Sequence, residues 1–454
     1  MTLWSSAEIA LATQGRASDH FDVSGVAFDS REVGPGDLFV ALKGEATDGH
    51  RFVAQAFAQG AEGVLVSQPV EGPHILVADT TAALDALGIE ARRRTQAKVI
   101  GVTGSVGKTS VKEALFAALD RAAPRKAHRS LKSYNNHVGV PLSLTRMPRD
   151  TRFGIFEMGM NHAGELSALT RLVRPHVALV TTVAYVHGEF FADESGIADA
   201  KGEIFEGLAP GGTAIIPYDN PHRDRLIAAA TPYAGEIVTF GRDARADVHA
   251  REGMAGPRGT FVQAKLRTAE LSFTVGPPGE HWVTNALAVL AVVEAAGGDL
   301  AAAGLALADL AGLPGRGQRI TIRLPDGDAL LIDESYNANP ASMRATLAML
   351  GHERGRKVAI LGSMRELGAE EGRLHADLAA PIAEAGVDLA LLVGSEMKPL
   401  AEALEGRIDF VHVADAIAAA DHAARLIAPG DAVLIKGSNS VGLAGVVDAL
   451  AREI

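Results

Sequence analysis

The sequence predicts a three-domain α/β protein, and three of its features carry that prediction. Its 454 residues are too many for one hydrophobic core, since domains run to roughly 150 residues. Short β-rich apolar runs alternate with helix-like stretches along most of the chain, the pattern of mostly parallel sheets covered on both faces. A glycine-rich loop, TGSVGKTS at 103 to 110, lies between one such run and a helix-like segment.

The elements follow in order. Between about 23 and 80, the runs LFVAL, GVLVS and HILVA are separated by the turn signals VGPGD and ATDGH, which predicts a small α/β N-terminal domain. Residues 82 to 96, ending ALGIEARRRTQ, read as a helix leading into a new unit. The runs VIGVTG, FGIFEMG, ALVTTV and TAIIPYD then predict a central, mostly parallel sheet of the P-loop ATPase kind. Residues 283 to 311 are rich in alanine and leucine and read as helix interrupted by AAGGD; GLPGRGQR follows as a hinge. LLIDES, KVAILG, DLALLVG, IDFVHV and AVLIKG predict a Rossmann-like C-terminal domain. The boundaries expected are 1–96, 97–312 and 313–454.

Composition limits the function. A hydrophobic fraction of 47% with 22% charged residues fills several cores without staples, and no cysteine is present to form disulfides, thiolate nucleophiles or cysteine-ligated metal sites. No apolar run reaches the length of a membrane span, and the N-terminus lacks a signal-peptide pattern, so the expectation is a cytoplasmic protein without membrane insertion, and a monomer. A net charge of -12 gives no general attraction to nucleic acid. An anionic ligand must therefore be held by a local group of cations and amides.

The loop at 103 to 110 supplies such a group. The usual phosphate-loop pattern needs glycine at position 102, where Val102 stands, yet strand, glycines, lysine and hydroxyl occur in the right order. The backbone of Gly104, Ser105, Val106 and Gly107 and the helix start at Lys108, Thr109 and Ser110 can face a nucleotide phosphate, with Lys108 as point charge and the Thr109 hydroxyl offered to Mg²⁺. Glu157 closes one predicted strand and His187 follows another, so both can emerge at the carboxyl edge of a parallel sheet. Alone, each is an ordinary strand-end residue. Lys201, in ADAKGEIFEGL, reads by itself as a solvated helix lysine able to pair with Glu203 or Glu206.

The segments DSREVGPGDLFVALKGEATDGHRF, TGSVGKTSVKE, SYNNHVGVPLSL, FEMGMNHAGE, AKGEIFEGL, PGRGQR, LIDESYNANPASM, LGSMRELG and IKGS together resemble the Mur ligase family, in order and across nearly the whole chain. That family uses the shortened glycine pattern of the loop. The resemblance implies an ATP-dependent ligase that phosphorylates a carboxylate and lets an amine displace phosphate from the acyl phosphate. It implies Mg²⁺, with one ion held by Thr109 and Glu157 and a second helped by His187, and a carbamate formed on Lys201 by CO₂. Arg316 is implied to reach the ATP phosphates after domain closure, Asp333 and Asn337 to lie near the nucleotide, and Asn285 to contact adenine beside Trp282, which stands where the family has an asparagine.

On the acceptor side the resemblance implies that the first domain binds the UDP-sugar through Ser30, Arg31, Lys43, Asp48 and His50, continued by Asn135 and Asn136 of the central domain. The ESYNANPASM segment and the TGSxGKTxxKE form of the loop favour a member taking UDP-N-acetylmuramoyl-tripeptide and D-alanyl-D-alanine. Rival readings are a ligase adding diaminopimelate or lysine, a folylpolyglutamate synthase-like ligase, and a nucleotide-switched binding protein that makes no amide.

Overall fold

The computed structural model describes residues 2–44, 47–185, 189–256 and 259–452. Its β-structure falls into three large sheets and a two-stranded pair, in the three-domain α/β arrangement that the alternating runs predict.

The first sheet has five strands. Gly25–Ala27, Asp37–Val40, Gly63–Val66 and His74–Leu76 run parallel, and Arg16–Ala17 closes the edge antiparallel. The helix Thr80–Arg93 is capped by Asp79, whose side chain accepts from the Thr81 and Ala82 amides. Its Leu84 and Leu87 share a core with Leu142 of the central domain, and Trp4 Nε1 donates to the Thr145 carbonyl at 2.9 Å. The first domain is thus seated on the second by apolar packing as well as hydrogen bonds.

The central sheet has nine strands, with Lys98–Thr103 between Val177–Val180 and Phe153–Glu157. These three and Thr213–Pro217 are buried almost throughout, because helices cover both faces and each face carries its own apolar cluster. Glu236–Gly241 and three further strands, Val248–Gly256, Gly259–Lys265 and Glu270–Val275, extend the sheet, the last two pairs being antiparallel. The apolar-run reading passes over them. In the antiparallel part residues alternate between buried and exposed, so no continuous apolar run marks it.

The C-terminal sheet has six strands in the order Gln318–Leu324, Gly327–Glu334, Ala432–Lys436, Lys357–Gly362, Leu389–Val393 and Asp409–Val413. All its pairs but the first are parallel. The carboxyl ends of its middle strands carry Glu334 and Lys436 toward the phosphate loop of the central domain, which leaves a cleft between the two. No described helix is long and apolar enough to cross a membrane.

Candidate active site between the central and C-terminal domains

The cleft encloses about 860 Å³, and one wall of it is the loop at 103 to 110. Gly104 has φ +145° and Gly107 φ +88°, regions that side chains rarely enter. A Cβ on Gly104 would stand 1.9 Å from Thr181 Oγ1, which itself donates to the Val106 carbonyl at 2.6 Å. Ser105 Oγ exchanges two 3.0 Å hydrogen bonds with the Ala184 backbone. The loop is therefore pinned from the neighbouring strand end. Gly104→Ala is expected to lose nucleotide binding, because the loop must shift to admit the methyl group; titration of an ATP analogue into the folded variant checks this.

The helix Lys108–Ala122 begins at Gly107 with no side-chain cap, so its first amides stay available for an anion. Lys108 Nζ folds back to the Gly104 carbonyl at 2.5 Å. Burial pushes the Lys108 ammonium below its usual range, while the Glu157 carboxylate opposes that shift.

Glu157, 1% exposed, lines the cleft beside the loop. It accepts from Thr109 Oγ1 at 2.9 Å on one oxygen and from Asn135 Nδ2 at 2.9 Å on the other. Cis oxygens in an octahedron with Mg²⁺-oxygen bonds of 2.0–2.1 Å lie about 2.9 Å apart, so the Thr109 and Glu157 oxygens already have the spacing of two Mg²⁺ ligands. Among the described residues no group of three or more acidic or histidine side chains is placed to hold a metal ion. An ion held by one hydroxyl and one carboxylate must complete its shell with phosphate oxygens and water, the habit of Mg²⁺ at nucleotide sites. His187 lies outside the described residues.

Lys201 overturns its solvated reading. It stands in the last turn of the helix Glu194–Gly202 at 1% exposure and has no hydrogen-bond or ion-pair partner among the described residues. Glu203 accepts instead from the Gly164 and Ser167 amides, and Glu206 from Ser167 and Arg171. Burial, with the charge of Lys108 adding to it, holds the Lys201 amine well below the usual lysine range. It is not among the residues that line the cleft.

Across the cleft, Arg316 stacks 4.3 Å from the Tyr336 ring centroid and reaches Ser133 Oγ at 3.5 Å, which bridges the linker and the central domain. Asn337 lines the same wall, whereas Asp333 does not. Both Asp333 oxygens are taken, one by the Gly315 amide at 2.6 Å and the other by Ser335, so it braces the linker under Arg316. Asn285 lines the cleft, and its Oδ1 lies 3.1 Å from where a Gly107 Cβ would be. Trp282 belongs to the central core and also lines the cleft. The neighbouring His281 imidazole is held neutral by burial, its pKa pushed down to about 4.

A second hollow of about 390 Å³ lies between the first and central domains and is lined by Lys43, Phe28, Tyr134, Asn136 and His137. Ser133 lines both this hollow and the main cleft, so the two are neighbours. Of the first-domain candidates only Lys43 lines it. Ser30 donates to Gln55, Arg31 is 82% exposed and chelates Asp29, and His50 bonds Asp48 at 2.6 Å. Asn136 spends its side-chain oxygen on the Val138 and Gly139 amides.

Three polar residues escaped the sequence reading. Lys112 is wholly buried beside Glu157, Lys436 is 1% exposed and donates to the Asn337 carbonyl at 2.9 Å, and Glu334 stands 3.4 Å from Lys436. Their segments, TGSVGKTSVKE, IKGS and LIDES, carry family motifs, but nothing in a sequence marks which charged side chains end up inside.

Comparison with known proteins matches three family models to the chain: the catalytic domain of the Mur ligase family at 22–125, the Mur ligase middle domain at 102–293, and the Mur ligase glutamate ligase domain at 315–439. The chain is 37% identical to the UDP-N-acetylmuramoyl-tripeptide--D-alanyl-D-alanine ligase of Escherichia coli over 94% of its own length and 93% of that protein. A crystal structure of MurF from Acinetobacter baumannii superposes with a TM-score of 0.87 at 32% identity, covering 99% of both chains. The MurF ligase of Thermotoga maritima, crystallised with ADP, gives 0.78 at 26% identity over 95% of this chain and 98% of that one.

Proposed function

Because the chain belongs to the Mur ligase family, we propose that its central cleft joins D-alanyl-D-alanine to UDP-N-acetylmuramoyl-tripeptide at the expense of ATP. The same relatives argue against the diaminopimelate- or lysine-adding and folylpolyglutamate readings. The observation that carries the reaction is the convergence on one cleft of the uncapped helix start with Lys108, the Thr109 and Glu157 oxygen pair, and Arg316 from the facing domain.

A carboxylate cannot be displaced by an amine while its leaving group is oxide. Transfer of the γ-phosphoryl group from ATP to the tripeptide carboxylate gives an acyl phosphate and ADP. The dipeptide amine then attacks the carbonyl carbon and gives up a proton, and phosphate leaves as the amide forms. No side-chain nucleophile is needed, so the protein's work is positioning and charge stabilisation. The loop amides and Lys108 hold the ATP phosphates, and Arg316 adds a guanidinium from the opposite wall. Thr109 and Glu157 would hold Mg²⁺, which would supply neutralisation of phosphate charge. The acceptor lies from the hollow at Lys43 and Asn136, past Ser133, to Asn135.

Lys201 fits a carbamate. CO₂ reacts with a neutral amine, and this amine is buried, pushed toward neutrality and unpartnered among the described residues. The modified side chain would be longer and anionic, which suits a second Mg²⁺ where an ammonium would repel it. Phosphate release measured with Mg²⁺, ATP and UDP-N-acetylmuramoyl-tripeptide tests the whole reading. Release that needs D-alanyl-D-alanine is expected; release indifferent to any amine would favour a nucleotide switch.

A further inference from the structure

One buried ammonium joins three parts of the molecule. Lys112, a helical turn beyond Lys108, is 0% exposed. Its Nζ donates to the Lys132 carbonyl at 2.6 Å and lies 3.2 Å from Glu113 Oε1 and 3.6 Å from Glu157 Oε2. Lys132 has φ +51°, a conformation that a lysine adopts only when its surroundings impose it. It stands in the loop 131–137, whose Asn135 donates to the other Glu157 oxygen. From the same loop, Lys132 Nζ and Tyr134 Oη both bond the Glu32 carboxylate of the first domain. Ser133, between them, meets Arg316 and lines both cavities.

A lysine on a helix ordinarily sends its charge to solvent, and burying an ammonium is costly unless its partners are well placed. Here the charges balance locally, Lys112 and Arg129 against Glu113 and Glu157. A dication taking the Glu157 carboxylate upsets that balance. It repels the ammonium and leaves Lys132 as its strongest remaining partner on the loop side.

We propose that Lys112 is a positioning residue that couples the Glu157 carboxylate to the loop 131–137, so that Mg²⁺-nucleotide in the cleft and the UDP-linked acceptor on the loop strengthen each other's binding. The inference rests on the ligase reading above. Coupling of this kind is reciprocal and is measured as a ratio of dissociation constants.

The test titrates UDP-N-acetylmuramoyl-tripeptide into the full chain with and without Mg²⁺ and a non-hydrolysable ATP analogue. In the unsubstituted protein the analogue is expected to tighten acceptor binding about fivefold or more. In Lys112→Met the ratio falls to about one, while the KM for D-alanyl-D-alanine stays unchanged. A folded Lys112→Met that keeps the full ratio overturns the proposal, and so does an unsubstituted protein that shows none. If Lys112→Met does not fold, hydrogen exchange in the unsubstituted protein decides: Mg²⁺ and analogue without acceptor must slow the amides of 131–137, and unchanged exchange overturns the proposal. An unsubstituted protein that couples but never ligates counts against the ligase reading alone; one that ligates without coupling counts against Lys112 alone.

Discussion

Lys201→Met is expected to make the protein more stable and catalytically dead. The native side chain buries an amine that has no partner among the described residues, beside the charge of Lys108. Burying a polar group without a hydrogen bond costs roughly 1 to 3 kcal/mol in proteins, and methionine of similar length removes that cost. The sign of the pH dependence follows. The folded pKa lies below the unfolded value of about 10.4, so the unfolded chain binds more protons throughout the interval between them, and stability rises with pH across it. Lys201→Met should flatten that slope in CO₂-free buffer. Thermal unfolding at several pH values checks both points, and a variant that is less stable with an unchanged slope would contradict them. Catalysis should vanish in Lys201→Met and in Lys201→Ala. The smaller side chain should be partly rescued by an added short carboxylic acid, because the space and the cation preference remain. Full turnover in either variant without additive would remove Lys201 from the mechanism.

Lys108→Ala is expected to lower the rate of phosphoryl transfer by roughly 10²- to 10³-fold or more, the range for deleting one preorganised donor to developing charge. The lysine is held at the loop by the Gly104 carbonyl at 2.5 Å, so its position is set before nucleotide arrives. Its removal leaves the uncapped helix start intact, and ATP should still bind, more weakly. Lys108→Arg should not restore the rate, since a planar fork cannot take the place of a compact ammonium folded against a backbone carbonyl. Single-turnover phosphate release with all three reactants present reads the effect. Because burial disfavours the charge, the alanine variant should unfold at the same temperature or higher, which separates lost chemistry from lost structure.

The two lysines show where sequence reading stops. The loop at 103 to 110 is legible because every part of it is local: a strand, two glycines forced by backbone geometry, a lysine and a hydroxyl at fixed spacing. Glu157 is legible as a strand end, and its pairing with Thr109 follows from adjacent parallel strands. The burial of Lys201 is not legible, since its segment also reads as a solvated helix with two glutamates in reach. Nor is the brace formed by Asp333 under the linker, which depends on a hydrogen bond to Gly315, eighteen positions away. The antiparallel strands between 248 and 275 escape notice for a different reason: half of their side chains face solvent.

By itself the sequence determined the three alternating α/β units, the phosphate loop and the motifs that mark the family, because strand burial, glycine conformation and motif spacing are properties of neighbouring residues. Only the tertiary structure decided which charges lie inside. Lys112, Lys201 and Lys436 are indistinguishable in sequence from surface lysines, and their surroundings come from strands, loops and helices remote along the chain. The same holds for the cleft itself. Arg316 and Ser133 are 183 positions apart, and only the tertiary arrangement of the central and C-terminal domains brings them together across the cleft.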